Sequence, residues 1–600
     1  MTKTTSTLPT DTGSGPIERA VQFFVKDCGE NAGTIYENYF EDNILKIELN
    51  PEEQELFDVM KKAADAWREG KLTIGKKSVE IRIAGGWVRD KILGLETHDV
   101  DVALDACTGV EFAHCLKEYH STTVQEETDD RVDRIKSKSK KIGKIGVIAA
   151  NPAQSKHLET ACVNIFGNDV DFSNLRHETY AEDSRIPETV MGTPLEDSFR
   201  RDCTMNALYY NLNFERIEDW THRGLRDLLQ TKVIQTPLKA FQTFQDDPLR
   251  VLRVIRFAVR YRMQLSEEIM EACQHPQIHE ELLRKVSRER VGNEIEGMLS
   301  GKHANPIKAL DLICQMKLAE CVFFPPEAFE IKGTIGLAQL RHFPYKNSDT
   351  DGKELSQLRA VAWEESRECL QILSVVLESF GSDVKCASTI ERRLVYLAIV
   401  LLPYVKLQYL EKQKTKYVVE YMIREGIKFK NKDVLFSGLI LQNLDRMILL
   451  LNRFQKIDTD DTSLLRLEAG LLLRSTKDMW LTTLVVATVC LSRNPTSSQD
   501  VSDWCACAKD FFQMIVVKMN LDGCWKTKPL MNGKELIRVL ELNRGPEVGV
   551  YMEEQVKWIL TNPKGTIEEL HGHLKCFKKK SELENDGENL QPVLKKIHLE

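Results

Sequence analysis

The sequence lacks any apolar run of the ~18 to 20 residues that a helix needs to cross a lipid bilayer. Its most apolar stretches, Tyr396–Val405 and Thr482–Leu491, are much shorter and are typical of buried helices. We therefore expect no membrane-spanning segment, and we expect both stretches to lie inside a folded domain.

Cysteine spacing excludes the common zinc modules. Fifteen cysteines occur in the 600 residues, but there is no C-x-x-C pair or other metal-ligand spacing. The one close pair, Cys505 and Cys507, is too tightly spaced for a zinc knuckle. We predict reduced thiols, and hence a protein of the cytoplasm, nucleus and/or mitochondrion that is not secreted.

The chain as a whole has no excess of positive charge, because 82 Lys and Arg residues stand against 90 Asp and Glu residues. The formal net charge of -8 excludes a uniformly basic coat for nucleic acid, but a local basic face remains compatible with it. The first arginine is Arg19 and Asp11 precedes it, so a mitochondrial presequence has only weak support and stays open. The hydrophobic content of 42% and charged content of 29% predict a globular protein of several domains.

Changes in hydrophobic periodicity along the chain, from strand-like to helical, predict its domain boundaries. Short β-like runs alternate with helical ones as far as about Asn213, and helical spacing dominates from about Thr236 onward. We predict a disordered tail at 1–34, a mixed α/β head at 35–215, a helical neck at 216–305, a helical body and tail at 306–577, and a flexible C-terminus at 578–600.

Two carboxylates follow a glycine pair within Ile81–Leu104. Asp99 and Asp101 alternate with valines, and in a strand this spacing places both carboxylates on one face. Adjacent carboxylates suit Mg²⁺, which prefers oxygen ligands and shares its shell with substrate phosphates. The alternative is a solvated strand edge that carries two acids.

The glycine pair favours a phosphate site. Gly85 and Gly86 follow a strand-like run, and glycines there permit positive φ and close approach of a ligand to the backbone. A predicted helix starts next, so its N-terminal N–H groups can hold a phosphate and Arg89 can add a charged contact.

A glycine turn followed by D-x-D is similar to the polymerase β-like nucleotidyltransferase superfamily. In the form found here it resembles the class II tRNA nucleotidyltransferases, or CCA-adding enzymes, and the related poly(A) polymerases. The resemblance implies an α+β fold, with a polymerase β-like head of mixed sheet and helices followed by an all-α neck, body and tail. It also implies two-metal nucleotidyl transfer with Mg²⁺ at Asp99 and Asp101, and no obligate protein partner is inferred.

The implied reaction adds C, C and A to the 3′ end of tRNA from CTP and ATP and releases pyrophosphate. A poly(A) polymerase, an enzyme that adds only CC or only A, and an inactive RNA-binding homologue remain the alternatives. The superfamily's third carboxylate corresponds to Asp171, although Asp169 lies on the same strand face and leaves that assignment open.

A second motif, Phe199–Asn211, resembles the family's R-R-D-x-x-x-N-A block. Its arginines offer guanidinium forks for a triphosphate, and its aspartate offers an acceptor for a ribose hydroxyl. The alternative is an exposed charged turn. The resemblance implies that Arg201 contacts the triphosphate and that Asp202 contacts the ribose.

A third motif, Asp246–Ala258, resembles the family's nucleotide-selecting block. Asp247 and Arg250 are three residues apart on a predicted helix entered through a proline, so we expect their side chains to be neighbours. A surface ion pair is the alternative to the implied role, which is to imitate a template base. Arg253 and Arg256 are assigned nucleotide contacts from the resemblance alone.

A basic run between two predicted strands, Arg131–Lys144, is the candidate RNA contact within the head. Its alternative is a solvated loop. The lysines proposed to bind RNA are Lys136, Lys138 and Lys140.

Overall fold

The computed structural model describes residues 46–127, 142–148, 160–179, 188–323, 331–332, 334–335, 343–344, 352–381, 391–456, 463–493 and 500–579. The predicted tail at 1–34 and the candidate RNA-binding lysines Lys136, Lys138 and Lys140 lie outside these ranges, as does 580–600 of the predicted C-terminus. The chain divides into two compact units, one of residues 1–305 with 316–322 and one of residues 306–315 with 323–600.

A seven-stranded mixed sheet forms the centre of the first unit. The strands are β1 (Ile81–Ala84), β2 (Val100–Leu104), β3 (Gly146–Ile148), β4 (Thr160–Ile165), β5 (Asn168–Asn174), β8 (Leu208–Asn211) and β9 (Arg216–Asp219). Their order in the sheet is β3-β4-β5-β2-β1-β8-β9, and β2 pairs with β5 in parallel while the other neighbouring strands are antiparallel. A separate hairpin joins β6 (Arg176–Thr179) and β7 (Glu188–Met191).

The helices of the head cover the sheet and carry its connections. The first helix starts at a capping box of Asn50 with Glu53 and stops at Gly70, whose φ of 76° lies in the left-handed region. Its apolar side, including Phe57 and Met60, is buried. The head helices are α1 (Pro51–Glu69), α2 (Gly86–Ile92), α3 (Gly109–Glu127) and α4 (Pro194–Phe199).

The rest of the first unit is helical apart from two short strands. The amphipathic helix Arg250–Arg260 buries valine, leucine and isoleucine side chains and packs against the longer helix Arg288–Ser300. The helices are α5 (Gly224–Arg226), α6 (Ala240–Asp246), α7 (Arg250–Arg260), α8 (Glu267–Cys273), α9 (Pro276–Lys285) and α10 (Arg288–Ser300). Strands β10 (Val233–Ile234) and β11 (Gln264–Leu265) pair in parallel.

The second unit is a helical assembly built around one buried helix, Trp480–Ser492. The two apolar stretches singled out in the sequence lie in this helix and in Arg392–Leu401 with the turn after it, so the prediction of buried helices is confirmed. Including one helix at the division between the units, the helices are α11 (Pro306–Gln315), α12 (Ala319–Phe323), α13 (Gly352–Gly381), α14 (Arg392–Leu401), α15 (Val418–Tyr421), α16 (Asn431–Gln442), α17 (Leu444–Phe454), α18 (Ser463–Thr476), α19 (Trp480–Ser492), α20 (Val501–Gln513), α21 (Gly533–Leu540), α22 (Glu547–Thr561) and a helical run at 567–579.

Short strands interrupt the second unit, which the sequence pattern did not predict. The two strands of the hairpin, Gln408–Glu411 and Lys414–Tyr417, are each four residues long, and several of their residues are exposed. Four residues give too little alternation of apolar and polar side chains for a strand to be recognised in the sequence. The strands are β12 (Ile331–Lys332), β13 (Thr334–Ile335), β14 (Phe343–Pro344), β15 (Gln408–Glu411) and β16 (Lys414–Tyr417).

Among the residues that the structure describes, no single helix is both long enough and apolar enough to cross a bilayer. Two consecutive helices, α16 and α17, reach the required length and apolarity only when taken together across a 41° bend.

Candidate active site

The carboxylates of the D-x-D motif lie at the start of β2. Val100 and Val102 are buried while Asp101 between them is exposed, so the strand alternates as the sequence predicts. Asp99 comes immediately before the strand and is also exposed. Because both residues are accessible beside a buried sheet, both carboxylates are available to a ligand.

Strand register separates the two candidates for a third carboxylate. Asp171 of β5 is the direct partner of Asp101 in the parallel β2–β5 pair. Asp169 is instead paired with Asn164 of β4, and its Oδ1 accepts a hydrogen bond of 2.8 Å from Asn164 Nδ2. The structure therefore brings Asp171, rather than Asp169, beside Asp101.

The electrostatics of this group favour a bound cation. Although Asp101 is exposed to solvent on one side, desolvation by the surrounding protein raises its pKa to about 6. The nearby Asp99 and Asp171 contribute to the rise, while Arg201 opposes it. Over the described ranges, no three His, Cys, Asp or Glu side chains converge closely enough to hold a metal ion by themselves. Oxygen donors of this kind fit an ion that completes its shell with substrate phosphates.

The glycine turn brings β1 against the second motif. Gly85 has a φ of 61°, which a residue with a side chain rarely adopts, and a Cβ there would lie 2.8 Å from Arg201 Nη1. Gly86 then begins α2. The positive φ therefore favours glycine at position 85, and any side chain there would also displace the Arg201 guanidinium.

Asp197 organises the arginines of the second motif. Arg200 and Arg201 donate to its two carboxylate oxygens, with shortest distances of 2.6 Å and 2.9 Å. Tyr209 also donates to it, and the ring of Tyr209 lies 5.1 Å from the Arg201 guanidinium. Although burial alone would raise the pKa of Asp197, Arg200 and Arg201 hold it well below its usual range.

Arg89 lies in a buried position. Only 4% of Arg89 is exposed, and its Nε donates to Asp90 at 2.8 Å while its Nη1 donates to the Asn206 side chain. Its guanidinium also lies 4.5 Å from the centre of the Tyr261 ring. The structure therefore places Arg89 beneath the glycine turn, where it connects α2 to the second motif and to α7.

Asp202 is held between two partners. Its Oδ1 accepts from Asn206 Nδ2 at 2.9 Å and its Oδ2 accepts from Arg253 Nε at 2.6 Å. Burial works to raise the pKa of Asp202, but Arg253 and the hydrogen bond from Asn206 hold it well below its usual range. Asp202 is therefore an ionised carboxylate whose orientation depends on Asn206 and Arg253.

The predicted pairing of Asp247 with Arg250 on one helix is wrong. Asp247 ends α6 in an extended conformation, and α7 begins only at Arg250, because the Pro248 between them separates the two helices. Arg250 donates to the backbone carbonyls of Thr243 at 3.0 Å and Arg200 at 2.6 Å. It thereby ties α6 and the second motif to the start of α7.

Arg253 and Arg256 share a partner on α10. Glu294 accepts from Arg256 Nε at 2.6 Å and lies 3.7 Å from Arg253 Nη1. The Arg256 guanidinium also lies 4.4 Å from the centre of the Phe257 ring. These contacts orient both arginines, and their assignment as nucleotide contacts stays a prediction.

Sequence reasoning missed four residues that organise the site. Two of them, Asp197 and Asn206, lie within or just before the R-R-D-x-x-x-N-A block, and their spacing from Arg201 could have identified them. The other two, Arg290 and Glu294, come from α10, and no local pattern in the sequence relates them to α6 or α7.

Comparison with known proteins agrees with the family resemblance of the sequence motifs. The sequence profile of the poly(A) polymerase head domain matches residues 81–235. The tRNA nucleotidyltransferase cca1 of Schizosaccharomyces pombe is 32% identical over 540 residues, which are 87% of this chain and 95% of that protein. The mitochondrial CCA tRNA nucleotidyltransferase of Saccharomyces cerevisiae is 33% identical over 548 residues, which are 89% of this chain and 94% of that protein.

Solved structures confirm the fold class. The Thermotoga maritima CCA-adding enzyme complexed with tRNA-CCA superimposes with a TM-score of 0.52 at 18% sequence identity, over 88% of this chain and 95% of that one. At this identity the likeness establishes the architecture, which is a mixed-sheet head followed by helical regions.

Proposed function

The chain belongs to the CCA-adding tRNA nucleotidyltransferases, and from this premise we propose that it adds C, C and A to the 3′ end of tRNA, using CTP and ATP. The observation that carries the proposal is the position of Asp101. It lies beside Asp171 in the sheet, and Arg201, which packs on the Gly85 turn, acts on its pKa. The groups proposed to bind the metal and the triphosphate are thus neighbours.

The reaction joins the tRNA 3′-hydroxyl oxygen to the α-phosphorus of the nucleotide and breaks the bond from that phosphorus to the bridging oxygen of pyrophosphate. Members of this family use divalent metal ions, and we propose Mg²⁺ held by Asp99 and Asp101, with Asp171 beside them. Such an ion supplies charge neutralisation to the phosphate oxygens and lowers the pKa of the attacking hydroxyl. The three carboxylates supply the anionic oxygen donors that it requires.

The triphosphate is proposed to lie against the glycine turn. Gly85 and Gly86 have no side chains to block the approach of a phosphate to the start of α2, and Arg201 lies directly beside Gly85. Arg89 is buried, so we propose that it acts through Asn206 and the rigid start of α2.

Separate carboxylates are proposed to bind the ribose and the base. Asp202, held by Asn206 and Arg253, is the proposed acceptor for a ribose hydroxyl. Asp247 is proposed to accept a hydrogen bond from the amino group that cytosine and adenine share, whereas the oxygens of uracil and guanine at that position would be repelled. Arg250 and Arg256 support this surface through the contacts described above.

The helical residues 306–577 are proposed to hold tRNA by its shape and phosphates, together with Lys136, Lys138 and Lys140 of the head. The relative from Saccharomyces cerevisiae is mitochondrial. We propose the mitochondrion, the cytoplasm or the nucleus as the place where this chain works.

The test is incubation of the protein with tRNA that lacks its 3′ CCA, Mg²⁺ and labelled CTP or ATP. Sequenced products that end in CCA support the proposal. Long adenosine tails would favour a poly(A) polymerase, products that end in CC or extend only by A would favour a partial enzyme, and unchanged tRNA would favour an RNA-binding homologue without activity.

A further inference from the structure

The carboxylate of Asp247 forms an ion pair with an arginine of another helix, α10. Arg290, in the first turn of α10, donates from Nη2 to Asp247 Oδ2 at 2.7 Å and from Nη1 to Asp247 Oδ1 at 3.4 Å. Such a two-pronged contact fixes the plane of a carboxylate as well as its position. We propose that Arg290 is a positioning residue for base selection, which acts by orienting Asp247 toward the incoming base; this inference rests on the proposed function.

The local backbone gives Asp247 little orientation of its own. Asp247 is extended at the end of α6, and α7 starts three residues later. Besides Arg290, its carboxylate accepts the backbone N–H of Leu249 at 3.2 Å. A single contact from the adjacent turn leaves the plane of the carboxylate undefined, so the fork of Arg290 defines it.

The geometry leaves room for a base. A carboxylate has about four acceptor positions, and the contacts with Arg290 and Leu249 use three of them. About 18% of the Asp247 side chain and 35% of the Arg290 side chain are exposed, so a ligand can reach the pair. The remaining position is the one that an amino group of cytosine or adenine would use.

Arg250, which the sequence favoured as the partner of Asp247, has a different set of contacts. Only 8% of Arg250 is exposed, and its two terminal nitrogens donate to the carbonyls of Thr243 and Arg200. Arg250 therefore fixes the path of the chain on either side of Asp247, whereas Arg290 fixes the carboxylate itself. An ordinary exposed ion pair is the alternative to this role, and it would leave base selection unchanged when removed.

The experiment compares kcat and KM for CTP and for UTP on tRNA that lacks CCA, with the full-length wild type, Arg290→Met, Arg290→Lys and Arg288→Met. Arg288 is the matched control, because it lies two residues away on α10 and donates to the backbone carbonyls of Cys321 and Val322. Thermal unfolding of every variant separates loss of structure from loss of selection.

We expect Arg290→Met to lower the preference for CTP over UTP by roughly tenfold or more, mainly through a higher KM for CTP, since a charged hydrogen bond no longer holds the carboxylate. Arg290→Lys keeps the charge without the fork and should give an intermediate preference. Arg288→Met should lower the unfolding temperature and leave the preference unchanged.

The double variant Asp247→Asn with Arg290→Met tests whether Arg290 acts through Asp247. If Arg290 acts through Asp247, Arg290→Met should change the CTP preference little once Asp247 is already asparagine. Unchanged preference in folded Arg290→Met, equal loss in Arg288→Met, or a full additional loss in the double variant would each overturn the inference. A wild type that incorporates neither nucleotide would instead refute the proposed function.

Discussion

Asp101 of β2 and Asp171 of β5 are direct neighbours in a parallel strand pair, so their carboxylates project from the same face of the sheet. If these oxygens hold the metal ion, Asp101→Asn should abolish nucleotidyl transfer, and Asp99→Ala should do the same. Binding of tRNA should stay nearly intact, because it depends on phosphate contacts elsewhere. Product formation on a gel and a filter-binding isotherm measure the two properties.

The same strand offers a matched control in Asp169, which accepts a hydrogen bond from Asn164 instead of facing Asp101. We expect Asp171→Asn to lower kcat and Asp169→Asn to leave it nearly unchanged. Equal activity of the two variants would contradict the assignment of Asp171, and full activity of Asp101→Asn would contradict the metal site.

The glycine turn gives a second prediction. Gly85→Ala should lower both stability and activity, because it forces a side chain to a φ of 61° and places a Cβ 2.8 Å from Arg201 Nη1. Gly94 has a φ of 67° but open space around it, so Gly94→Ala should cost only the backbone strain of about 1–2 kcal/mol. Urea unfolding and the KM for CTP test the difference, and an unchanged KM in Gly85→Ala would show that the turn does not position the triphosphate groups.

The sequence predicted the parts of the site that are local in the chain. The alternation of Val100, Asp101 and Val102 predicted the exposed acid, and the glycine pair predicted the turn at Gly85. Both depend on residues within a few positions of one another, where strand and turn geometry are decided by the local sequence.

The parts that failed depend on contacts between distant segments. The sequence favoured Arg250 as the partner of Asp247, but Pro248 ends the helical path between them and Arg290, 43 residues away from Asp247, forms the ion pair. The choice between Asp169 and Asp171 likewise needed the register of β2 against β5. Periodicity carries no information on register or on packing between helices, so neither relation was predictable.

Substitution of Asn206 should lower stability and also weaken nucleotide binding. It accepts from Arg89 and donates to Asp202, so Asn206→Ala removes one hydrogen bond from each of two buried charged groups. We expect a loss of about 2–3 kcal/mol in the free energy of unfolding and a higher KM for both nucleotides.

Thr204→Val is the control for Asn206→Ala, since the Thr204 hydroxyl lies in the same turn but donates to Asp227 at 2.6 Å, and not to Asp202. It should lower stability and leave the KM for nucleotides near that of the wild type. A matching rise in KM for both variants would show that Asn206 contributes only through stability.

A pH-dependent stability effect follows from Asp246. Burial raises the pKa of Asp246 to about 6, against an unfolded value near 3.8, while Arg250 partly opposes the rise. Between these pH values the folded state binds more protons than the unfolded state, so this carboxyl lowers stability as pH rises, and its full cost is present above about pH 6. Asp246→Asn should therefore stabilise the fold on the order of 1 kcal/mol at pH 8 and less at pH 5. Denaturant unfolding at both pH values measures this, and an equal gain at the two would contradict the cause given.

The most direct test of the central claim uses four purified tRNAs: one that ends before the CCA, one after its first C, one after its second C and one with the complete CCA. Each is incubated with the protein, Mg²⁺ and one of the four nucleoside triphosphates. We predict that the first two tRNAs accept only CTP, that the third accepts only ATP, and that a tRNA with the complete CCA is not extended. Addition of ATP to all four, addition of UTP as readily as CTP, or no addition at all would contradict the account.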